Sequence, residues 1–357
     1  EERARLSVGV LEGDTVEQFD QVVRPFLLPD GSLAVPVLGA HAIRIFSPDG
    51  EFVRSLGRRG EGPGEFVGLT DAWARGDTVE AFDFSLRRVT RFPPDGSAEV
   101  VNLDGALSGF ISGALPDGWV APYIYATNID EGGRDQVAIK LFGRDGSEID
   151  EIARIEGMRR FRNGFGGSGP HPLSPRRISR VHDGRLYLAE TTTPRIDVYE
   201  SDGTRVDTIT WEPDPNAMSP EEAMALVVDS ATVRFARGDD PYPDSDEEVE
   251  PAVTRRMYET ADVPERTPAF ADMRVDREGF IWIRPYEPLV HSAALQILTR
   301  ATPGGTWTIL SPEGERVGTV EVPSDLRPTD IASDAVVGIR RDELGVETVH
   351  VHALERR

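Results

Sequence analysis

The chain has 357 residues, no cysteine and a formal net charge of −23. Those values exclude a disulfide framework, a thiolate nucleophile and a cysteine-ligated metal, and they disfavour nucleic acid as a partner, because phosphate contacts need a basic face. Hydrophobic residues make up 39%, adequate for a core, yet no run reaches the roughly 18 apolar residues of a membrane-spanning helix.

Residues 5–10, Arg-Leu-Ser-Val-Gly-Val, read as a strand with no neighbour in sequence to pair with. Next, 25–28 and 32–37 flank the turn Asp30-Gly31, and 42–46 and 51–56 flank Asp49-Gly50. Asp-Gly supplies the positive φ that a tight hairpin turn requires. The second turn returns as Asp95-Gly96, Asp145-Gly146, Asp202-Gly203 and Glu313-Gly314. Further units cover residues 70–103, 111–155, 179–211, 271–322 and 329–354. Two hairpins per unit, repeating every roughly 40–50 residues, are the sequence pattern of a β-propeller.

Six units account for nearly the whole chain, and the last has room for only three strands. Residues 5–10 supply its missing outer strand, which closes the ring and removes two exposed edges. The expected fold is therefore all-β: one six-bladed β-propeller over residues 1–357, closed by its N-terminal strand. Residues 212–268 break the strand pattern between the fourth and fifth units. Ser219 as N-cap, Pro220 at the first helical position and Glu222 at the capping-box position open a helix there. An acidic run over 239–251 and a second helix over 253–261 follow. The expectation is a helical, acidic insertion packed over the channel mouth.

The stretch Phe46-Ser47-Pro48-Asp49-Gly50-Glu51-Phe52-Val53-Arg54-Ser55-Leu56-Gly57, followed by Glu61-Gly62-Pro63-Gly64-Glu65-Phe66, resembles an NHL-type propeller repeat. Val275-Asp276-Arg277-Glu278-Gly279-Phe280-Ile281-Trp282-Ile283, Leu326-Arg327-Pro328-Thr329-Asp330 and Arg341-Asp342-Glu343-Leu344-Gly345-Val346-Glu347 resemble bacterial six-bladed, TolB-like propeller proteins of unknown function. The resemblance covers most of the chain and implies an exported or lipid-anchored protein, extracytoplasmic and bacterial. It carries no particular activity, since propellers host many. Glu1 in place of methionine points to a processed N-terminus.

In a propeller the turns inside each hairpin lie on one face, and the connections between hairpins and between blades lie on the other. Nearly every long segment here falls in the second set: 123–135, 156–178, 212–268 and 286–305. Long loops on a rigid scaffold are where function concentrates. On that face a basic, glycine-rich stretch stands against the overall charge. Arg58, Arg59, Arg160, Arg162, Arg176 and Arg177, with Tyr123 and His171, are the candidate binding residues. Guanidinium forks suit a small anionic ligand, or the surface takes a partner protein. The competing arrangement pairs these arginines with the acidic run 239–250.

Other motifs carry less. Gly164-Phe165-Gly166-Gly167-Ser168-Gly169 matches a dinucleotide fingerprint, but Pro170, Pro172 and Pro175 follow where a helix is required, so the stretch reads as a flexible lid. His350 and His352 share one strand face. No cofactor is expected beyond a channel cation that Asp71 and Asp330 could hold. The function expected is a noncatalytic exported propeller that binds through its long-loop face. The alternatives are a metal-dependent lactonase- or lyase-like propeller enzyme and a structural subunit of an envelope or extracellular assembly.

Overall fold

The computed structural model describes residues 4–105, 107–108, 110–125, 133–215, 217–236, 251–296 and 304–355. Six antiparallel sheets follow one another along the chain, each with strand neighbours in sequence order. Blade one runs from the strand Phe26–Leu27 to Phe52–Leu56 and blade two from Leu69–Arg75 to Glu99–Asn102. Blade three starts at Gly113–Leu115, blade four runs from Arg177–His182 to Arg205–Thr210, and blade five from Phe270–Val275 to Arg316–Val322. Blade six holds Leu326–Ile331, Ala335–Arg341 and Glu347–Ala353. Its fourth strand is Leu6–Val8, paired antiparallel in the register Leu6 to Val351, Ser7 to His350 and Val8 to Val349. The protein is a six-bladed β-propeller closed by its N-terminal strand.

The Asp-Gly turns form as their chemistry demands. In the third blade Gly146 takes φ +87°, and its N–H donates to the carbonyl of Gly143 (2.8 Å). Asp145 Oδ1 accepts from the Ser147 hydroxyl (2.7 Å) and amide (3.0 Å), which holds its carboxyl below the usual range. A Cβ on residue 146 would also strike the carbonyl of Asn102, so the turn sits tight against blade two.

Each strand alternates its side chains between two neighbouring blades, so every interface has its own apolar core. Ile43, Ile45 and Leu56 meet Ala72, Val79 and Ala81 between blades one and two. Trp282 and Trp307 meet Leu326 and Val336 between blades five and six. The ring-closing interface joins Val8, Val35 and Phe46 to Val337, Ile339 and Val349.

The insertion carries α1 (Pro220–Ala236) and α2 (Pro251–Tyr258). Ser219 and Glu222 cap α1 reciprocally: the Glu222 amide donates to Ser219 Oγ (3.3 Å) and the Ser219 amide to Glu222 Oε2 (3.2 Å). Two short helices, α3 (Pro288–His291) and α4 (Ala293–Gln296), occupy the connection after the second strand of blade five. Ala223, Met224 and Val227 of α1 pack with Tyr258 of α2, Leu295 of α4, and Phe161 and Leu173.

Two expectations change. The glycine-rich stretch after residue 156 is no flexible lid. The outer strand of blade three continues from Glu148 to Arg162 and turns into a fifth strand, Ser168–Pro170. Asn163 Oδ1 closes that turn by accepting from the amides of Phe165 and Gly167, each at 3.0 Å. A Cβ at Gly164 would collide with the carbonyl of Arg256, so glycine here serves close packing on α2. The inner strand of blade six begins at Leu326, before Thr329. The acidic run 239–250 lies outside the described residues.

Candidate functional site

The predicted site residues divide into two groups. In the first, the arginines bond to their own surroundings. Arg58 Nε donates to Glu65 Oε1 (2.9 Å) within the connection between blades one and two. Arg59 beside it is exposed and bridges Phe66 through its backbone. Arg160 pairs with the buried Asp135 (3.1 Å), and Arg162 donates to the carbonyl of Gly166 (3.0 Å). Tyr123, in the second strand of blade three, has Lys140 Nζ 4.8 Å from its ring centroid. His171 is fully buried and lies at no surface. Its Nδ1 accepts from the Leu173 amide (3.1 Å), so Nε2 carries the proton and donates to the carbonyl of Asp262 (2.8 Å). Burial lowers its pKa, and the ring fastens the insertion to the chain before blade four. Arg159 pairs with the same Asp262. Nearby carboxylates occupy Arg58, Arg159 and Arg160, and a backbone carbonyl accepts from Arg162.

Arg176 and Arg177 form the second group. They head the inner strand of blade four, within electrostatic reach of Asp272 and Arg180 respectively. Those two residues belong to the central channel, which the inner strands of all six blades surround. The channel holds a cavity of about 520 Å³. It is lined at depth by Arg24, Asp71, Arg180 and Arg274, and it opens past Gly76, Gly184 and Arg277. Those last residues sit in the short turns, on the face to which loop length had assigned no role.

Charge in the channel is dense and of both signs: Arg24, Arg180, Arg274 and Arg277 line the cavity together with Asp71, Asp183, Asp276 and Asp330. Asp71 is buried and paired with Arg24. Asp272 accepts from Arg180 (2.9 Å) and Arg274 (3.3 Å). Burial would push the Asp272 carboxyl up, but the guanidinium groups of Arg274 and Arg180 outweigh it and hold the pKa low. The arginines crowd one another. Burial, then the charges of Arg180, Arg274 and Arg327, depress Arg24 to about 9. Burial and Arg180 bring Arg177 to about 10. Both stay protonated at neutral pH; burial is the main cause of the depressions, and the neighbouring guanidinium charges add to it. Arg24 also sits at φ +41°, a left-handed conformation that costs an L-residue about 1–2 kcal/mol.

The two carboxylates considered for a channel cation each face an arginine. Asp71 has Arg24, and Asp330 accepts from Arg277 (2.8 Å) and the Leu27 amide (3.0 Å). Among the described residues no group of three or more His, Cys, Asp or Glu is placed to hold a metal ion. His350 and His352 stack with ring centroids 6.0 Å apart, and His350 Nε2 shares a hydrogen bond with the Thr348 hydroxyl (2.9 Å).

Arg24, Arg180, Arg274 and Arg327 were not among the predicted site residues. One signal was readable: each lies in, or just before, the first strand of its unit, where side chains approach the propeller axis. Tyr286 and His291, in the connection after the second strand of blade five, were likewise not among the predicted site residues. Their rings lie 5.9 Å apart. Burial, then Arg284 and Arg176, hold the His291 imidazole at about 3. A base depressed in this way is neutral when folded, while the unfolded chain takes up a proton below about 6.5. Its stabilisation is therefore complete above that pH and is lost as the pH falls toward 3. At pH 5 this one ring accounts for about 2 kcal/mol of lost stability. His291→Gln should flatten that dependence; thermal melts at pH 7 and pH 5 check it, and an unchanged difference between them contradicts it.

No curated protein matches this sequence. Residues 38–156 match the family model described as 6-bladed beta-propeller. Among solved structures, a candidate exported protein from Bacteroides fragilis is similar over 98% of this chain and 95% of its own, at 10% identity and a TM-score of 0.52. A Bacteroides vulgatus protein from a family of unassigned function covers 100% and 99%, at 9% identity and a TM-score of 0.49. A catalytically inactive virginiamycin B lyase from Staphylococcus aureus covers 94% and 99%, at 12% identity and a TM-score of 0.37. The family match within the first three blades, the six closed sheets and the full-length likeness to the Bacteroides fragilis protein together identify the fold of the chain as a six-bladed β-propeller.

Proposed function

We propose that this propeller is an exported binding protein that takes a small anionic ligand into its central channel and does not transform it. The observation that carries this reading is the arginine-lined channel of a chain whose net charge is −23. Buried guanidinium groups are costly unless carboxylates, a ligand or a counter-ion supply negative charge. The planar guanidinium fork recognises carboxylate, sulfate or phosphate in two-pronged fashion. The paired Asp71 and Asp272 set the arginine orientations. Export is supported by the likeness to the Bacteroides fragilis candidate exported protein. Among the described residues no helix is long and apolar enough to cross a membrane.

Calorimetric titration of succinate, sulfate and inorganic phosphate tests the reading. Saturable binding of at least one anion is expected, weakening as salt rises from about 20 to 200 mM because screening acts on open channel charges. Arg180→Ala and Arg274→Ala should each weaken it roughly tenfold, the value of a charge-assisted hydrogen bond. Arg205→Ala, on the exposed outer strand of blade four, should leave it unchanged. No binding of any of the three anions, or equal binding by all these variants, counts against a channel site. Fractionation of the source cells should find the protein outside the cytoplasmic membrane; a cytosolic protein would remove the export part.

A further inference from the structure

We infer that Tyr286, His291 and Arg176 form a carboxylate-binding subsite at the long-loop end of the channel. The inference rests on the anion-binding reading and names the ligand class. The Tyr286 hydroxyl is buried and has no hydrogen-bond partner among the described residues. His291 is 3% exposed, and its Nδ1 accepts from the Glu287 amide (2.9 Å), so the neutral ring carries its proton on Nε2. That Nε2–H is likewise buried and has no acceptor among the described residues. Two neighbouring buried donors with nothing to donate to are costly and rare in a folded protein.

The surroundings hold these donors in place. Ser292, which follows α3, donates its hydroxyl to the carbonyl of Pro172 (2.8 Å), so the His291 turn is anchored to the chain leading into blade four. Arg176 lies within electrostatic reach of both rings. Its guanidinium makes no hydrogen bond or ion pair among the described residues, and the residue is exposed. Arg284 adds positive potential from a buried position and donates to the carbonyl of Gly304 (2.6 Å). Arg176 is therefore the guanidinium open to a ligand.

The group is rich in donors and poor in acceptors. A carboxylate presents two oxygens with about four lone-pair sites. The Tyr286 hydroxyl, the His291 Nε2–H and the two prongs of Arg176 supply matching donors. One open cation beside two neutral donors suits a single negative charge, whereas a phosphate dianion calls for a second facing cation.

The test titrates succinate and inorganic phosphate into the wild-type protein, Tyr286→Phe, Arg176→Ala and Arg180→Ala, with nitrogen-15 histidine spectra following His291 Nε2. Succinate should move the His291 Nε2–H resonance saturably. Tyr286→Phe should weaken succinate about 5–10-fold and change phosphate less than about twofold, as expected for one neutral hydrogen bond. Arg176→Ala should weaken succinate by about tenfold or more. Without ligand, Tyr286→Phe should melt at the wild-type temperature or above, because an unpartnered hydroxyl has been removed. If Arg180→Ala weakens succinate while Tyr286→Phe and Arg176→Ala do not, the subsite is overturned and the channel reading stands. Equal losses of succinate and phosphate in Tyr286→Phe overturn the carboxylate class. Failure of the wild-type protein to bind either anion removes both.

Discussion

Deleting residues 1–12 should lower the melting temperature by roughly 10 °C and make the protein prone to aggregation. The strand Leu6–Val8 completes blade six, and the Arg5 amide extends its ladder to the carbonyl of Val351 (2.8 Å). Val8 is 6% exposed within the core that joins blades six and one, and Leu6 packs against that core. Losing two such side chains costs about 1.5–3 kcal/mol each, and each ladder hydrogen bond adds about 1 kcal/mol. The exposed pair between Arg5 and Asp334 (2.7 Å) adds little. The sum, roughly 5 kcal/mol, is a large share of the 5–15 kcal/mol typical of a folded protein. The deletion also leaves Glu347–Ala353 as an unpaired edge, which invites pairing between molecules. Calorimetry and size-exclusion chromatography check both effects. A truncated protein that melts within about 2 °C of the parent would show that closure contributes little.

Glu80→Ala should be nearly as damaging, at about 3–5 kcal/mol. Glu80 is completely buried in the second strand of blade two. Its Oε2 accepts from the indoles of Trp73 (2.9 Å) and Trp119 (2.8 Å), and its Oε1 from Arg75 Nε (2.8 Å). Arg75 continues across the interface to the carbonyls of Leu115 (2.6 Å) and Gly118 (3.0 Å). One carboxylate thus ties blade two to blade three. Its removal leaves the Arg75 charge without its carboxylate and two indole N–H groups without acceptors, and that uncompensated burial is what makes breaking such a pair expensive. Glu80→Gln keeps an acceptor and should lose roughly half as much. A Glu80→Ala protein with wild-type denaturation midpoint would contradict this account.

Much of the architecture was legible because it is written in local chemistry. An Asp-Gly pair needs only its own backbone and the next residue, as Asp145, Gly146 and Ser147 show. The Ser219–Glu222 capping box spans a single helical turn. Counting hairpins then required a sixth blade short of one strand, and residues 5–10 were the only strand left. Local signals misled where glycine and proline serve tertiary contact, as at Gly164 against the backbone of α2. The partners of Arg58 and Arg160 escaped detection because glutamate and aspartate are frequent and no spacing marks which of them will meet a given arginine.

Sequence by itself determined the six hairpin pairs, the ring closure and the capped helix of the insertion. Only the tertiary structure decided the candidate site. Arg24, Asp71, Arg180, Asp272, Arg274 and Arg327 come from five different blade regions, and nothing near any one of them in sequence predicts the others. They meet because closing the ring brings every inner strand to one axis, where charges distant along the chain share one poorly screened space. The same closure brings Tyr286 and His291 within electrostatic reach of Arg176, with two buried donors that have no acceptor among the described residues.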